Sequence, residues 1–66
     1  MQITVNGQER HVGEGTSLMD LLTELNVDTK TVVVQRNADI VGRSDFVTTS
    51  LTEGDVLELV RLVGGG

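Results

Sequence analysis

The sequence has no cysteine, so neither disulfide bonds nor thiolate metal sites can hold the fold together. It also lacks tryptophan and tyrosine, and its single aromatic residue is Phe46. The one histidine, His11, has no cysteine or recognisable serine nucleophile to act with. Metal-ligand spacings and phosphate-binding loops are absent as well. These absences predict that the chain is not an enzyme and binds neither a metal nor a cofactor of its own.

Basic residues are scarce, since five Lys and Arg stand against ten Asp and Glu and give a net charge of −5. Clustered cations supply most of the affinity of proteins for nucleic acid, so this balance argues against a nucleic-acid partner. The apolar residues are spread over periodic segments, and no run is long enough to span a bilayer or to form a signal peptide. We therefore expect no membrane association and a cytoplasmic location.

The length of 66 residues predicts one small domain. A domain of this size buries only about 60% of the surface that its unfolded chain exposes. The core is therefore small, and it leaves little room for an enclosed active site.

The first segment predicts a β-hairpin. Ile3 and Val5 alternate with polar residues, and Asn6-Gly7 is the pair most favoured in a two-residue type I′ turn. A two-residue turn would place Arg10 opposite Ile3 on the core face. Either the aliphatic stem of Arg10 lies against the core or the turn is longer, and the sequence leaves this register open.

One helix is predicted next. Thr16 or Ser17 can cap it, and Ser17 with Asp20 forms a loose capping box. Asn26 is a plausible stop in the left-handed conformation. The helix carries one apolar stripe with the spacing i, i+3, i+4 and i+7, formed by Leu18, Leu21, Leu22 and Leu25.

The second half of the chain predicts three strands. Residues 32–34 are an uninterrupted β-branched run, which is typical of a strand covered on more than one side. A turn at 36–39 leads into a short strand at 40–41, and Phe46 is expected to plug the core beneath an irregular loop. After a turn at 52–55, the last strand is predicted over 56–63.

This order of elements predicts an α+β protein with the β-grasp arrangement, in which one main helix packs across a mixed sheet of four to five strands. The first and last strands are expected to pair in parallel, because the helix serves as a crossover. We assign residues 1–63 to this single domain and residues 64–66 to a flexible glycine tail.

Gly64, Gly65 and Gly66 follow the last strand without a polar spacer. Three residues without side chains would leave the terminal carboxylate sterically bare on a flexible stalk, which could enter a narrow site of another protein. Termini are also places where filler residues are tolerated, so an idle tail is the alternative.

The last strand also suggests where a partner would dock. If Leu57 and Leu59 face the helix, Val60 and Leu62 lie on the opposite face of the sheet, where polar residues are expected. Exposed apolar patches mark protein interaction sites, although a second covered face or self-association could also hide them. Such a patch would lie beside the root of the glycine stalk.

A free carboxylate needs activation before it reacts, because it is ionised above a pKa of about 3.3 to 3.7. Attack on the α-phosphate of ATP would give an acyl adenylate, and a sulfur donor could then displace AMP to leave a thiocarboxylate. Without cysteine, this is the only covalent route by which the chain could carry sulfur. The ATP must be bound by a partner, since no segment here has a nucleotide-binding pattern.

The chain resembles the ThiS family of sulfur carriers, which are ubiquitin-like proteins of thiamin thiazole biosynthesis. The resemblance runs almost from end to end. It rests on residues 1–7, the leucine stripe of the helix, residues 32–43 with Asn37, the group Arg43-Ser44-x-Phe46, Glu53-Gly54-Asp55, and the final Gly65-Gly66.

The resemblance implies that Gly66 is adenylylated by a ThiF-like adenylyltransferase, converted to a thiocarboxylate with sulfur from a donor protein, and used by a ThiG-like thiazole synthase. Two positions depart from the family pattern. Family members often have proline where this chain has Gly42, and Gly64 makes a triple glycine where a double is usual. Neither change disturbs the terminal pair.

Three other readings remain open from the sequence. A MoaD-like carrier would serve molybdopterin synthesis by the same chemistry. A ubiquitin-like modifier would conjugate the terminal glycine to lysines of other proteins. The third is an interaction domain with an idle tail.

Overall fold

The computed structural model describes residues 1–62, which form a five-stranded mixed sheet with one helix. The strands are β1 (Gln2–Val5), β2 (Gln8–His11), β3 (Val32–Arg36), β4 (Asp39–Val41) and β5 (Val56–Arg61), and the helix is α1 (Leu18–Glu24), followed later by a short 3-10 helix at Arg43–Asp45. The strand order is β2-β1-β5-β3-β4. Only β1 and β5 pair in parallel, as predicted. The β-grasp prediction is confirmed.

The first hairpin has the two-residue turn. Asn6 and Gly7 both have positive φ, 49° and 81°, as a type I′ turn requires. Ile3 therefore lies opposite Arg10, on the face of the sheet that carries the core. Arg10 is half-buried, so its aliphatic stem packs at the margin of the core and the question left open by the sequence is settled.

The helix begins and ends where the sequence predicts. Ser17 Oγ accepts a hydrogen bond from the backbone N–H of Asp20 at 3.0 Å, and the Asp20 carboxylate accepts one from the N–H of Ser17 at 3.2 Å. This is the reciprocal capping box. Beyond the helix Asn26 adopts φ 59°.

The core lies between α1 and one face of the sheet. Phe46 is buried within it, as predicted, although the sequence did not single out Leu51, which is also buried. The buried apolar residues are Ile3, Val5, Leu18, Leu21, Leu22, Val32, Val34, Phe46, Leu51 and Leu57.

Two strand predictions need correction. The run 32–34 is not covered on both faces, because Val33 is only half-buried on the face that the helix does not reach. Its strand is central within the plane of the sheet, between β5 and β4, and that position explains the β-branched run. The last strand ends at Arg61, and Val63 lies outside the described residues.

The one buried charged residue among residues 1–62 is Asp55, whose side chain is 3% exposed. Its carboxylate accepts hydrogen bonds from the Thr52 N–H at 2.8 Å, the Thr52 hydroxyl at 2.9 Å, the Asn37 amide at 3.1 Å and Arg36 Nε at 3.0 Å. The carboxylate thus joins the turn before β5 to the end of β3 and the turn that follows it. It fixes where β5 begins.

These bonds lower the pKa of Asp55. Burial alone would raise the pKa, but the hydrogen bonds from Thr52, Asn37 and Arg36 outweigh it and bring the pKa below the ordinary 3.8. A carboxyl group with a lower pKa in the folded state stabilises the fold fully above its unfolded pKa. That contribution is lost as the pH falls from about 4 through the lower folded value.

We predict that Asp55→Asn lowers the free energy of unfolding by about 2 to 3 kcal/mol at pH 7, because an amide cannot accept four bonds and leaves buried donors unpaired. Urea unfolding between pH 2 and 7 tests this. The variant should also show a smaller loss of stability than the parent below about pH 4.

The matched control is Asp39→Asn, since Asp39 is exposed and its side chain makes no hydrogen bond within residues 1–62. Its stability should stay within about 0.5 kcal/mol of the parent. An Asp55→Asn protein as stable as this control would contradict the role given to the buried carboxylate.

The turn between β3 and β4 carries backbone strain. Asn37 and Ala38 both have positive φ, 51° and 75°. Asn37 is held there because its N–H donates to the Val56 carbonyl at 2.8 Å and its side-chain oxygen accepts from the Val56 N–H at 2.9 Å. Ala38 has no comparable compensation, and an L-residue other than Gly, Asn or Asp rarely adopts this conformation.

We predict that Ala38→Gly raises the free energy of unfolding by about 0.5 to 1 kcal/mol, because the relieved strain exceeds the entropy cost of glycine. Thermal and urea unfolding measure the change. The reciprocal control is Gly54→Ala, where φ is 83° and an added Cβ meets nothing within 4 Å, so strain alone should destabilise. A loss of stability in Ala38→Gly would refute the strain assignment.

Candidate functional site

The predicted site lies at the end of β5, which the sheet holds from both sides. On one side the Leu62 N–H donates to the Thr31 carbonyl at 2.6 Å, so pairing beside β3 continues to the last described residue. On the other side the Asn6 amide continues the ladder beyond the end of β1. Its oxygen accepts from the Leu59 N–H at 2.8 Å, and its nitrogen donates to the Leu59 carbonyl at 3.4 Å.

The side chains of β5 alternate between two faces. Leu57 is fully buried and Leu59 half-buried against the core, whereas Val60 is 56% and Leu62 58% exposed. The structure thus places Val60 and Leu62 on the face that the helix does not cover, as the sequence predicts. Their role in partner binding stays a prediction.

Two further residues belong to this surface and are not among those predicted from the sequence. Val33 lies opposite Val60 on the neighbouring strand, and Val56 is exposed four residues before Val60 on the same face. We call the group Val33, Val56, Val60 and Leu62 the open-face patch. The period of two along β5 could have identified Val56, but Val33 required the pairing register.

The patch is interrupted by one carboxylate. Glu58 is exposed between Val56 and Val60, and it lies opposite Gln35 on β3. On the far side of Gln35 the edge strand β4 presents the exposed Ile40. An apolar partner surface that also carries a basic group would complement this arrangement.

The predicted reacting group lies outside the described residues. Val63, Gly64, Gly65 and Gly66 follow Leu62 in the sequence, and the structure describes the chain as far as Leu62. What the structure establishes is the position of Leu62, the last described residue, within the open-face patch.

Residues 1–62 contain no group of three or more His, Asp or Glu side chains that could hold a metal ion. His11 is exposed on the edge strand β2. Within this part of the chain no helix has the length and apolar character needed to cross a membrane.

Comparison with known proteins gives a consistent family assignment. The model of the ThiS family matches residues 2–66 of the chain. The sulfur carrier protein ThiS of Bacillus subtilis is 34% identical over 65 residues, which cover 97% of this chain and 98% of that protein.

A longer relative also matches. A thiazole synthase of Paramagnetospirillum magneticum is 39% identical over 66 residues, which are 100% of this chain and 20% of that protein. The chain thus spans about a fifth of the length of this relative and nearly all of the Bacillus carrier.

The fold comparison agrees. The crystal structure of a thiamine biosynthesis protein, ThiS, from Geobacter metallireducens superposes with a TM-score of 0.86 at 33% identity, and each chain is covered completely. Together with the match over residues 2–66, this similarity shows that the chain belongs to the ThiS family.

Proposed function

We propose that this protein is the sulfur carrier of thiamin thiazole biosynthesis and that the carboxylate of Gly66 is its reacting group. The observation that carries the proposal is the family match, which runs through the terminal glycines to residue 66. The Bacillus relative of nearly equal length bears the name of a sulfur carrier protein, which supports the same function.

The chemistry follows from the properties of a carboxylate. One oxygen of the Gly66 carboxylate attacks the α-phosphate of ATP, which a ThiF-like adenylyltransferase holds, and pyrophosphate leaves. A hydrosulfide equivalent from a donor protein then attacks the acyl carbon, and AMP leaves with the former carboxylate oxygen. The product is a C-terminal thiocarboxylate. The carrier contributes the acyl group and no catalytic side chain.

The acceptor of the sulfur is proposed to be a ThiG-like thiazole synthase. In the thiazole synthase of Paramagnetospirillum magneticum, a segment similar to this whole chain occupies about a fifth of the same polypeptide. Another such protein, from Magnetococcus marinus, is 36% identical over 66 residues and shows the same share of its length. A segment similar to this chain, joined in one polypeptide to the rest of a thiazole synthase, supports an interaction between separate chains here.

We propose that the partner enzymes bind the carrier through its folded part. Val56, Val60 and Leu62 of the open-face patch precede the glycines in the same segment, so an enzyme that binds Val60 and Leu62 holds the chain a few residues before its proposed reacting group. Burial of these exposed apolar side chains against an enzyme provides binding energy, and the carrier needs no pocket for a group of the partner.

We predict that a semisynthetic chain with a carboxamide in place of the Gly66 carboxylate cannot be charged with sulfur, because an amide does not attack ATP. Each chain is incubated with a ThiF-like enzyme, ATP and a sulfur donor, and its intact mass is measured. The parent should gain the mass of an oxygen-to-sulfur exchange, and the amide should stay unchanged.

The carboxamide chain has the same length and the same side chains as the parent, so it controls for the fold and for docking. A carboxamide chain that still gains sulfur would refute the assignment of Gly66. Presenting the charged parent to a thiazole synthase and to a molybdopterin synthase then identifies the acceptor. Covalent adducts with other proteins would instead indicate a modifier.

We predict that Leu62→Asp weakens binding to the adenylyltransferase at least tenfold, about 1.4 kcal/mol, because a charge replaces apolar contact area. Stability should change by less than about 0.5 kcal/mol, since Leu62 is mostly exposed. Calorimetric titration and urea unfolding measure the two effects.

Val47→Asp is the matched control, because Val47 is another exposed apolar residue, located after the 3-10 helix and outside the open-face patch. Its affinity for the enzyme should equal that of the parent. If Leu62→Asp loses stability and retains affinity, the open-face patch is structural.

A further inference from the structure

A cleft of about 250 Å³ opens on the core side of the sheet, opposite the open-face patch. It lies beyond the end of α1, where Leu25 and Val27 form one wall. Val5, Val32 and Leu59 contribute the apolar floor from three strands. The proposed sulfur chemistry uses none of these residues.

The floor of the cleft includes the least buried residues of the core. Val5 and Val32 are each 8% exposed, whereas the other buried apolar residues are at most 3% exposed. The two most exposed members of the core are therefore those that line the cleft. The core is therefore least tightly covered at the cleft, where the short helix ends.

The rim of the cleft is positively charged, although the protein is acidic overall. Arg10 and Arg61 line it, no Asp or Glu does, and the whole chain has only five basic residues. Within residues 1–62 the one ion pair joins Arg36 to Asp55, so Arg10 and Arg61 have no carboxylate partner in this part of the chain. The charge favours an anionic group on whatever binds.

The cleft borders an open sheet edge. Strand β2 is the outermost strand and pairs only with β1. Met1 and Val12 exchange hydrogen bonds at 2.7 and 2.9 Å, and hydrogen-bonded pairs alternate along an antiparallel ladder. The backbone groups of Glu9 and His11 therefore point away from β1, where an added strand would pair with them.

The size of the cleft indicates what occupies it. Sites for small molecules usually enclose about 300 to 1,000 Å³ and bury most of the ligand, whereas this open cleft is smaller and fits a few side chains. We infer that its β2 side binds an extended segment of a partner protein, which adds to β2 as a sixth strand and places apolar and acidic side chains against Gln8 and Arg10, at the margin of the cleft. This surface is separate from the one proposed for sulfur transfer.

The probe is a blocked peptide of sequence Thr-Leu-Thr-Val-Thr-Glu-Thr, in which Leu, Val and Glu share one face of a strand. It is titrated into the full chain labelled with ¹⁵N. We expect saturable shifts and slower hydrogen exchange at the amides of Glu9 and His11. The same peptide with Lys in place of Glu should bind at least tenfold more weakly.

Arg10→Glu should weaken binding of the glutamate peptide at least tenfold, because the charge at the rim is reversed. Arg43→Glu makes the same change outside the cleft, on the 3-10 helix, and should bind as the parent does. If Arg10→Glu fails to fold, Arg10→Gln and Arg61→Glu replace it, since Arg61 is exposed.

Three results would overturn the inference. The first is equal binding of the two peptides, and the second is a set of shifts confined to the open-face patch. The third comes from a titration with free glutamate. It is a response of the arginine side chains as strong as their response to the peptide, without any change at Glu9 and His11. The last would identify a simple anion site. Because no sulfur chemistry enters this measurement, its failure leaves the proposed carrier function untouched.

Discussion

The buried carboxylate of Asp55 is the interaction on which the placement of the last strand depends. It joins Thr52, Arg36 and Asn37 and so ties the turn before β5 to the end of β3. Apolar packing is the second constraint on this strand, since Leu57 is fully buried in the core between the helix and the sheet. Four directed hydrogen bonds to one charge fix where the strand begins.

From that start, β5 gains two different faces. Leu57 turns to the core, and the open-face patch turns outward on the side that no helix covers. The β-grasp sheet places this strand at its centre, yet the strand leads directly to the end of the chain. Neighbouring strands hold a central strand along both of its edges. An enzyme that binds its outer face therefore binds the chain at a fixed position, just before the residues that follow the strand in the sequence. Such a scaffold suits a protein whose reactive part is proposed to be its terminus.

Much of the fold followed from local signals. Asn6-Gly7 specified the hairpin, Ser17 and Asp20 the helix start, and the leucine spacing its buried face. The outward position of Val60 and Leu62 followed from the period of a strand. Local patterns identify Asp55 only as part of a turn, because its partners Arg36 and Asn37 lie 19 and 18 residues away. They predict a covered face for Val33, since a β-branched run does not reveal whether one or both faces of a strand are buried.

The sequence by itself determined the element order, the absence of cysteine and the run of three glycines after the last strand, because each depends on residue type or on short-range spacing. Tertiary structure alone decided that Val33 and Val56 join the patch, that Asp55 is the buried charge, and that Arg10 and Arg61 meet at one cleft. These features arise from pairings between segments far apart in the chain. Their register is set by the packed sheet as a whole, which no local pattern encodes.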